Sequence, residues 1–214
     1  MSVTSTAPAS ERVAGGVGES VARVDGIPKA VGAFTYASDL WADGMLHGAT
    51  TRSPHASARI VSIDTGPALA LPGVHAVLTA ADVPGKPTFG LEFADEPALA
   101  TGRVRYAGEP VAVVAADDPE LARRAAGLVA VDYQVLPPLL DMTEALSPDA
   151  PKVHEFGNVL RHVHISHGDP DAAAEVWVEG YYETAMQDNA PLGPEGGLAI
   201  PAPDGGVDLR VNTQ

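Results

Sequence analysis

Residues 102–138, GRVRYAGEPVAVVAADDPELARRAAGLVAVDYQVLPP, constrain the fold more tightly than any other stretch of this 214-residue chain. Val111, Ala112, Val113 and Val114 make a short, unbroken apolar run, the pattern of a strand buried on both faces. Asp117 or Asp118 can cap a following helix, Pro119 suits its first position, and Glu120 favours the positive end of its dipole. Leu121, Ala125, Leu128 and Val129 recur at helical spacing, with Arg123 and Arg124 on the opposite side. Residues 131–136 are β-prone again, and Pro137-Pro138 stops them. The spacing predicts strand, helix and strand, with one helix stripe packed on a sheet. Capping accounts for both aspartates, so neither is assigned a catalytic role.

Composition narrows the function classes. The formal net charge is -15, which argues against nucleic-acid or anionic-membrane binding, since both reward clustered Lys and Arg. With no cysteine, the chain cannot form disulfides, zinc-thiolate sites or an iron-sulfur cluster of its own, and this fits a cytoplasmic protein. No apolar run is long enough to span a membrane. Gly (22) and Pro (19) are abundant, so elements should be short and connections many.

Along the chain, residues 1–16 read as a disordered lead-in without a signal-peptide core. Asp25-Gly26 predicts a turn between β-prone flanks. Strands are expected at 45–51, 58–63 and 74–79, with a short helix capped by Asp64 or Thr65 and ended by Pro72-Gly73. Residues 80–93 read as loop. Further strand-like alternation occurs at 159–166, 176–186 and 206–211, with a hairpin turn at Asp204-Gly205-Gly206. The resulting plan is a first folded block at 17–146, a linker at 147–161 and a β-rich block at 162–214. The last block reads as incomplete, because a final strand without a partner leaves an edge and an apolar face uncovered.

Three local patterns could carry chemistry. His162, His164 and His167 would place two imidazoles on one strand face, but no acid completes a site, so a solvent-facing edge is the better reading and no metal site is assigned. Arg52-Ser53-Pro54-His55 joins a cation, a hydroxyl and an imidazole, yet no acid is adjacent to orient the histidine. Gln187 and Gln214 carry amides that could donate to a metal-oxo oxygen without titrating, although strand-end glutamine is the plainer reading of each.

An ordered series of segments resembles the large subunit of the molybdenum hydroxylases, the xanthine dehydrogenase and aldehyde oxidase family. The segments are RVDGIPKAVGAFTYASDL (23–40), GMLHGATTRSPHASARIVSIDT (44–65), ALPGVHAVLTAADVPG (70–85), RVRYAGEPVAVVAAD (103–117), VDYQVLPPLLD (131–141), HGDPDAA (167–173) and residues 181–214. The resemblance implies an α+β fold: an α/β hammerhead domain at 17–146, followed by the incomplete, β-rich start of a molybdopterin-binding domain. It is most similar to the xanthine dehydrogenase branch with a separate molybdenum subunit.

The resemblance also implies molybdenum-molybdopterin in the complete subunit, with 2Fe-2S and FAD on partner iron-sulfur and flavin subunits. The substrate would be a purine, another heterocycle or an aldehyde, hydroxylated with oxygen from water. Gln214 occupies the position of the family's T-Q glutamine, implying an amide near the molybdenum oxo group, and Gln187 matches a second recurring glutamine. Asn189 and Gly193 stand where many relatives have histidine and glutamate, and residues 169–178 are shorter than usual. The family's catalytic glutamate has no counterpart in these residues, so no catalytic residue is assigned here. The expected role of this portion is scaffold and partner docking. The competing reading is a non-catalytic, standalone hammerhead module acting in protein–protein assembly.

Overall fold

The computed structural model describes residues 17–90, 93–169, 171–190 and 195–213. In chain order these form α1 (Gly26–Ala30), β1 (His47–Arg52), β2 (Ala58–Asp64), α2 (Gly66–Leu69), β3 (Val74–Thr79), β4 (Thr88–Phe89), β5 (Glu96–Pro97), β6 (Arg103–Val104), β7 (Pro110–Ala116), α3 (Pro119–Ala126), β8 (Ala130–Val135), α4 (Met142–Ala145), β9 (Gly196–Pro201) and β10 (Val207–Asn212). Single 3-10 turns occupy Ala37–Asp39 and Ala80–Asp82. The chain divides into two compact units, residues 43–181 and residues 1–42 with 182–214. The boundaries read from composition at 146 and 161 both fall inside the larger unit, and the expected lead-in at 1–16 lies outside the described residues.

The larger unit holds two three-stranded antiparallel sheets, ordered β1-β7-β3 and β6-β2-β8. Strand β7 is the apolar run of residues 111–114, and it is buried on both faces as its composition requires. Ala112 and Val114 pack with Ala68 of α2 and with Ala125 and Ala126 of α3. On the other side, Val111 joins Ala58, Ala100 and Val104 beneath the second sheet. One strand thus belongs to both cores. The strand-helix-strand reading of 110–135 holds locally, but β7 and β8 lie in different sheets.

Helix α3 begins as its sequence dictates. The Asp118 carboxylate accepts from the backbone N–H groups of Glu120 (2.9 Å) and Leu121 (2.8 Å), and Pro119 follows at the first helical position. Its buried stripe is Ala122, Ala125 and Ala126, with Val129 beyond the helix, rather than the expected Leu121, Ala125, Leu128 and Val129. The helix ends at Ala126, so Leu128 leaves the helical period and is exposed. Alanines let the backbone approach the sheet closely. Asp117 takes a different role and pairs with His75 at 2.6 Å. Gly73 sits at φ +88° where an added Cβ would lie 2.7 Å from Asp117 Oδ2 and 2.8 Å from Leu121 Cδ2, so only glycine suits this close approach.

Two further expectations are corrected. Asp25-Gly26 opens helix α1 instead of a turn between strands, and Asp25 is held by Arg23 and by Lys29 at 2.6 Å. These partners, Arg23 first, hold the Asp25 carboxyl well below its usual range. Residues 176–186, which span the division at residue 181, have no regular structure, nor do 159–166, although both alternate like strands. Alternation alone fixes no strand without a neighbour to complete the ladder. β10 has one: it pairs antiparallel with β9 across the expected turn at 204–206.

Candidate interaction surface

The sequence-derived chemical candidates do not converge. Ser53 is buried, accepts from the His55 backbone N–H at 3.1 Å, and its own N–H and C=O bond to Glu109 and Gly108. Arg52 donates to the Gly108 carbonyl at 2.9 Å, so residues 52–55 clasp the turn before β7. The His55 ring lies edge-on to Tyr133 at 5.1 Å, and burial pushes the Tyr133 phenol above its ordinary value. This is packing, and no nucleophile is activated. His162, His164 and His167 lie exposed on irregular chain, which removes the shared strand face, and the described residues contain no group of three or more metal-ligating side chains.

Of the two glutamines, Gln214 lies outside the described residues, as does Gly193. Gln187 is exposed, and its amide donates to the Ala185 carbonyl at 3.4 Å.

What the structure does present is exposed apolar surface, on paired strands in one unit and on irregular chain in the other. In the smaller unit, the β9–β10 register places Val207, Leu209 and Val211 on one face with Pro201, Ala199 and Gly197, and all six are exposed. The opposite face carries Asp208, Arg210 and Asn212 from β10. In the larger unit, Leu160 (100% exposed), Ile165, Trp177 and Val178 project from irregular chain. Exposed apolar patches of this kind mark protein or membrane contact surfaces or ligand grooves.

A second apolar feature brings residues of the expected 147–161 linker together with Phe93 and the end of the first block. Phe93, Leu140, Met142, Val153, Phe156 and Leu160 line a cleft of about 570 Å³. His154 at its rim pairs with Asp95 at 3.3 Å. Asn158 holds the loop: its carbonyl oxygen accepts from Val153 N–H (2.8 Å), and its amide donates to Ala145 and Pro151 carbonyls (both 3.1 Å). The local signal was an asparagine following Pro148 and Pro151, where the irregular backbone needs a side chain to complete its hydrogen bonds.

The sequence profile of the aldehyde oxidase and xanthine dehydrogenase a/b hammerhead domain matches residues 31–137. The chain belongs to this family. It is 40% identical over 195 residues to a probable xanthine dehydrogenase subunit from Bacillus subtilis, an alignment covering 90% of this chain and 26% of that protein. It is 34% identical to the nicotinate dehydrogenase large molybdopterin subunit of Eubacterium barkeri, covering 92% of this chain and 47% of that protein. Among solved structures, the aldehyde oxidoreductase of Desulfovibrio gigas superposes with a TM-score of 0.78 at 30% identity, over 88% of this chain and 23% of that one. The chain therefore spans between about a quarter and a half of the length of these relatives.

Membership accounts for the α+β architecture of the hammerhead portion. The matched stretch contains both sheets, both cores and helix α3. Its fully buried residues are alanines and valines of β2, α2, β6, β7 and α3, whereas much of the unpaired apolar surface lies C-terminal to residue 137.

Proposed function

We infer that this chain is the scaffold and docking portion of a molybdenum hydroxylase large subunit of the xanthine dehydrogenase type. The whole enzyme would be an oxidoreductase that hydroxylates a purine, another heterocycle or an aldehyde, with water as the oxygen source. Electrons would pass to 2Fe-2S and FAD centres on partner subunits, in the cytoplasm. Molybdenum-molybdopterin, when bound by the complete subunit, supplies the two-electron acceptor for that chemistry. No step is assigned to these residues. Gln214 is proposed to face the cofactor pocket, and Gln187 to lie in the same segment.

The observation that carries the docking role is the exposed apolar face of Val207, Leu209 and Val211 on a paired strand. Such a face is costly in water and is covered in an assembly. The test is the intact mass and molybdenum content of the native product, together with its co-purifying subunits. A longer chain carrying molybdenum and iron-sulfur and flavin partners is expected. A native chain of 214 residues, free of metal and partners, would overturn the enzyme reading.

The second reading, a standalone hammerhead module, is favoured by the two cores held within residues 43–181. It predicts equal amide protection across residues 103–136 and 162–213. An unfinished second block predicts fast exchange in the latter alone.

A further inference from the structure

Ala58 and Val104 are register partners between β2 and β6, and both are fully buried. The next register pair is Arg59 with Arg103, which the strand period places on the opposite face. Like charges directly opposite one another across an antiparallel pair repel. Arg105 follows two residues beyond Arg103. In a chain with 28 acidic and 13 basic residues, an arginine cluster would be expected to draw carboxylates. It has almost none: among the described residues no carboxylate pairs with Arg59 or Arg103.

The available acceptors are weak. Arg103 donates to the Lys152 carbonyl at 3.4 Å and to Ser57 Oγ at 3.3 Å, both long. Arg105 reaches the Glu109 carboxylate only at 4.0 Å, and that carboxylate already accepts the Arg105 backbone N–H. The Nε–H groups of Arg103 and Arg105 are both buried without an acceptor. Between these side chains lies a cleft of about 400 Å³, walled by Ser57, Tyr106, Pro137 and Pro138, with no acidic residue in its described lining. The lining sets two guanidinium groups beside Ser57, Tyr106 and apolar side chains, and the guanidiniums are only weakly satisfied.

We propose that the cleft beside Arg103 and Arg105 binds a small oxyanion, of the phosphate or polycarboxylate class. Guanidinium groups match the paired oxygens of both classes, and two arginines lining one cleft favour a multivalent anion that displaces the long contacts of Arg103. Arg59 adds charge at the margin. The proposal does not depend on the docking role inferred above.

The test is calorimetric titration of the purified full chain with citrate and with inorganic phosphate, at ionic strength held constant with chloride. Saturable binding of at least one anion is expected. It should weaken at least tenfold in Arg103→Gln, vanish in the Arg103→Gln/Arg105→Gln variant, and persist in Arg123→Gln/Arg124→Gln on α3. Melting curves establish that each variant folds. If Arg103→Gln does not fold, Arg103→Lys keeps the charge without the fork, and a several-fold loss of affinity is expected there. No saturable binding of either anion, or affinity unchanged by substitution at Arg103, overturns the assignment.

Discussion

The Thr51 hydroxyl donates to the Ala126 carbonyl at 2.7 Å, joining β1 to the last turn of α3 across 75 residues of sequence. Helix ends leave carbonyls without intrahelical partners, and here a strand side chain satisfies one of them. Thr51→Val keeps the shape and strand preference while removing the donor. It should destabilise the larger unit by about 1–2 kcal/mol, because a part-buried carbonyl loses its partner. Urea denaturation checks this, and an unchanged midpoint would show that water replaces the hydroxyl.

The two aspartates before α3 should separate cleanly on substitution. Asp118→Ala removes an N-cap that accepts two backbone bonds and should cost about 1 kcal/mol. Asp117→Ala breaks only an exposed contact with His75 and should fall within about 0.5 kcal/mol of wild type. Equal losses in thermal unfolding would contradict the assignment of the cap to Asp118.

Packing between α3 and the sheet should tolerate no added volume. Ala125 is fully buried among Ala68, Ala112 and Val114. Ala125→Leu should therefore cost about 1–3 kcal/mol by overpacking. A neutral result in chemical denaturation would reveal unfilled space at this interface.

Asn158 should govern the loop from α4 to residue 158. Its three hydrogen bonds join Ala145, Pro151 and Val153, and Asn158→Asp removes both donors while facing a carboxylate toward two carbonyls. Limited proteolysis should then cut within 145–158 while the sheets stay protected. Cleavage no faster than in wild type would assign the loop's order to the surrounding apolar contacts.

The cap of α4 should respond to acid in a known direction. The Thr143 hydroxyl, then the backbone N–H groups of Glu144 and Thr143, hold the Asp141 carboxyl below its ordinary value of 3.8. The folded value is depressed, so the cap contributes in full above 3.8 and is lost as pH falls through the lower folded value. Carboxyl NMR should find Asp141 titrating below the usual range, and Thr143→Ala should move it upward. An Asp141 titration at the ordinary value would remove the cap from the account.

The parts of the fold legible in sequence were those fixed by near neighbours. The apolar run of 111–114, the cap and proline of α3 and the 204–206 turn each act within a few residues. What escaped depends on partners far along the chain. The β-like text of 159–166 and 176–186 found no strand to pair with, and Leu128 left the buried stripe once α3 ended at Ala126. The Arg59–Arg103 pairing is visible only once β2 and β6 are in register. For the site residues, resemblance supplied Gln187 and Gln214, but geometry gives Gln187 only a local bond. Asn158 was hidden because a loop-tying amide has no periodic signature.

Strand β7 gives Ala112 and Val114 to one core and Val111 to the other. Neither layer can melt while its neighbour persists, since losing β7 strips apolar contacts from both at once. The two layers should therefore unfold in a single transition, and sequence drift that they might otherwise absorb separately is constrained jointly at this one strand.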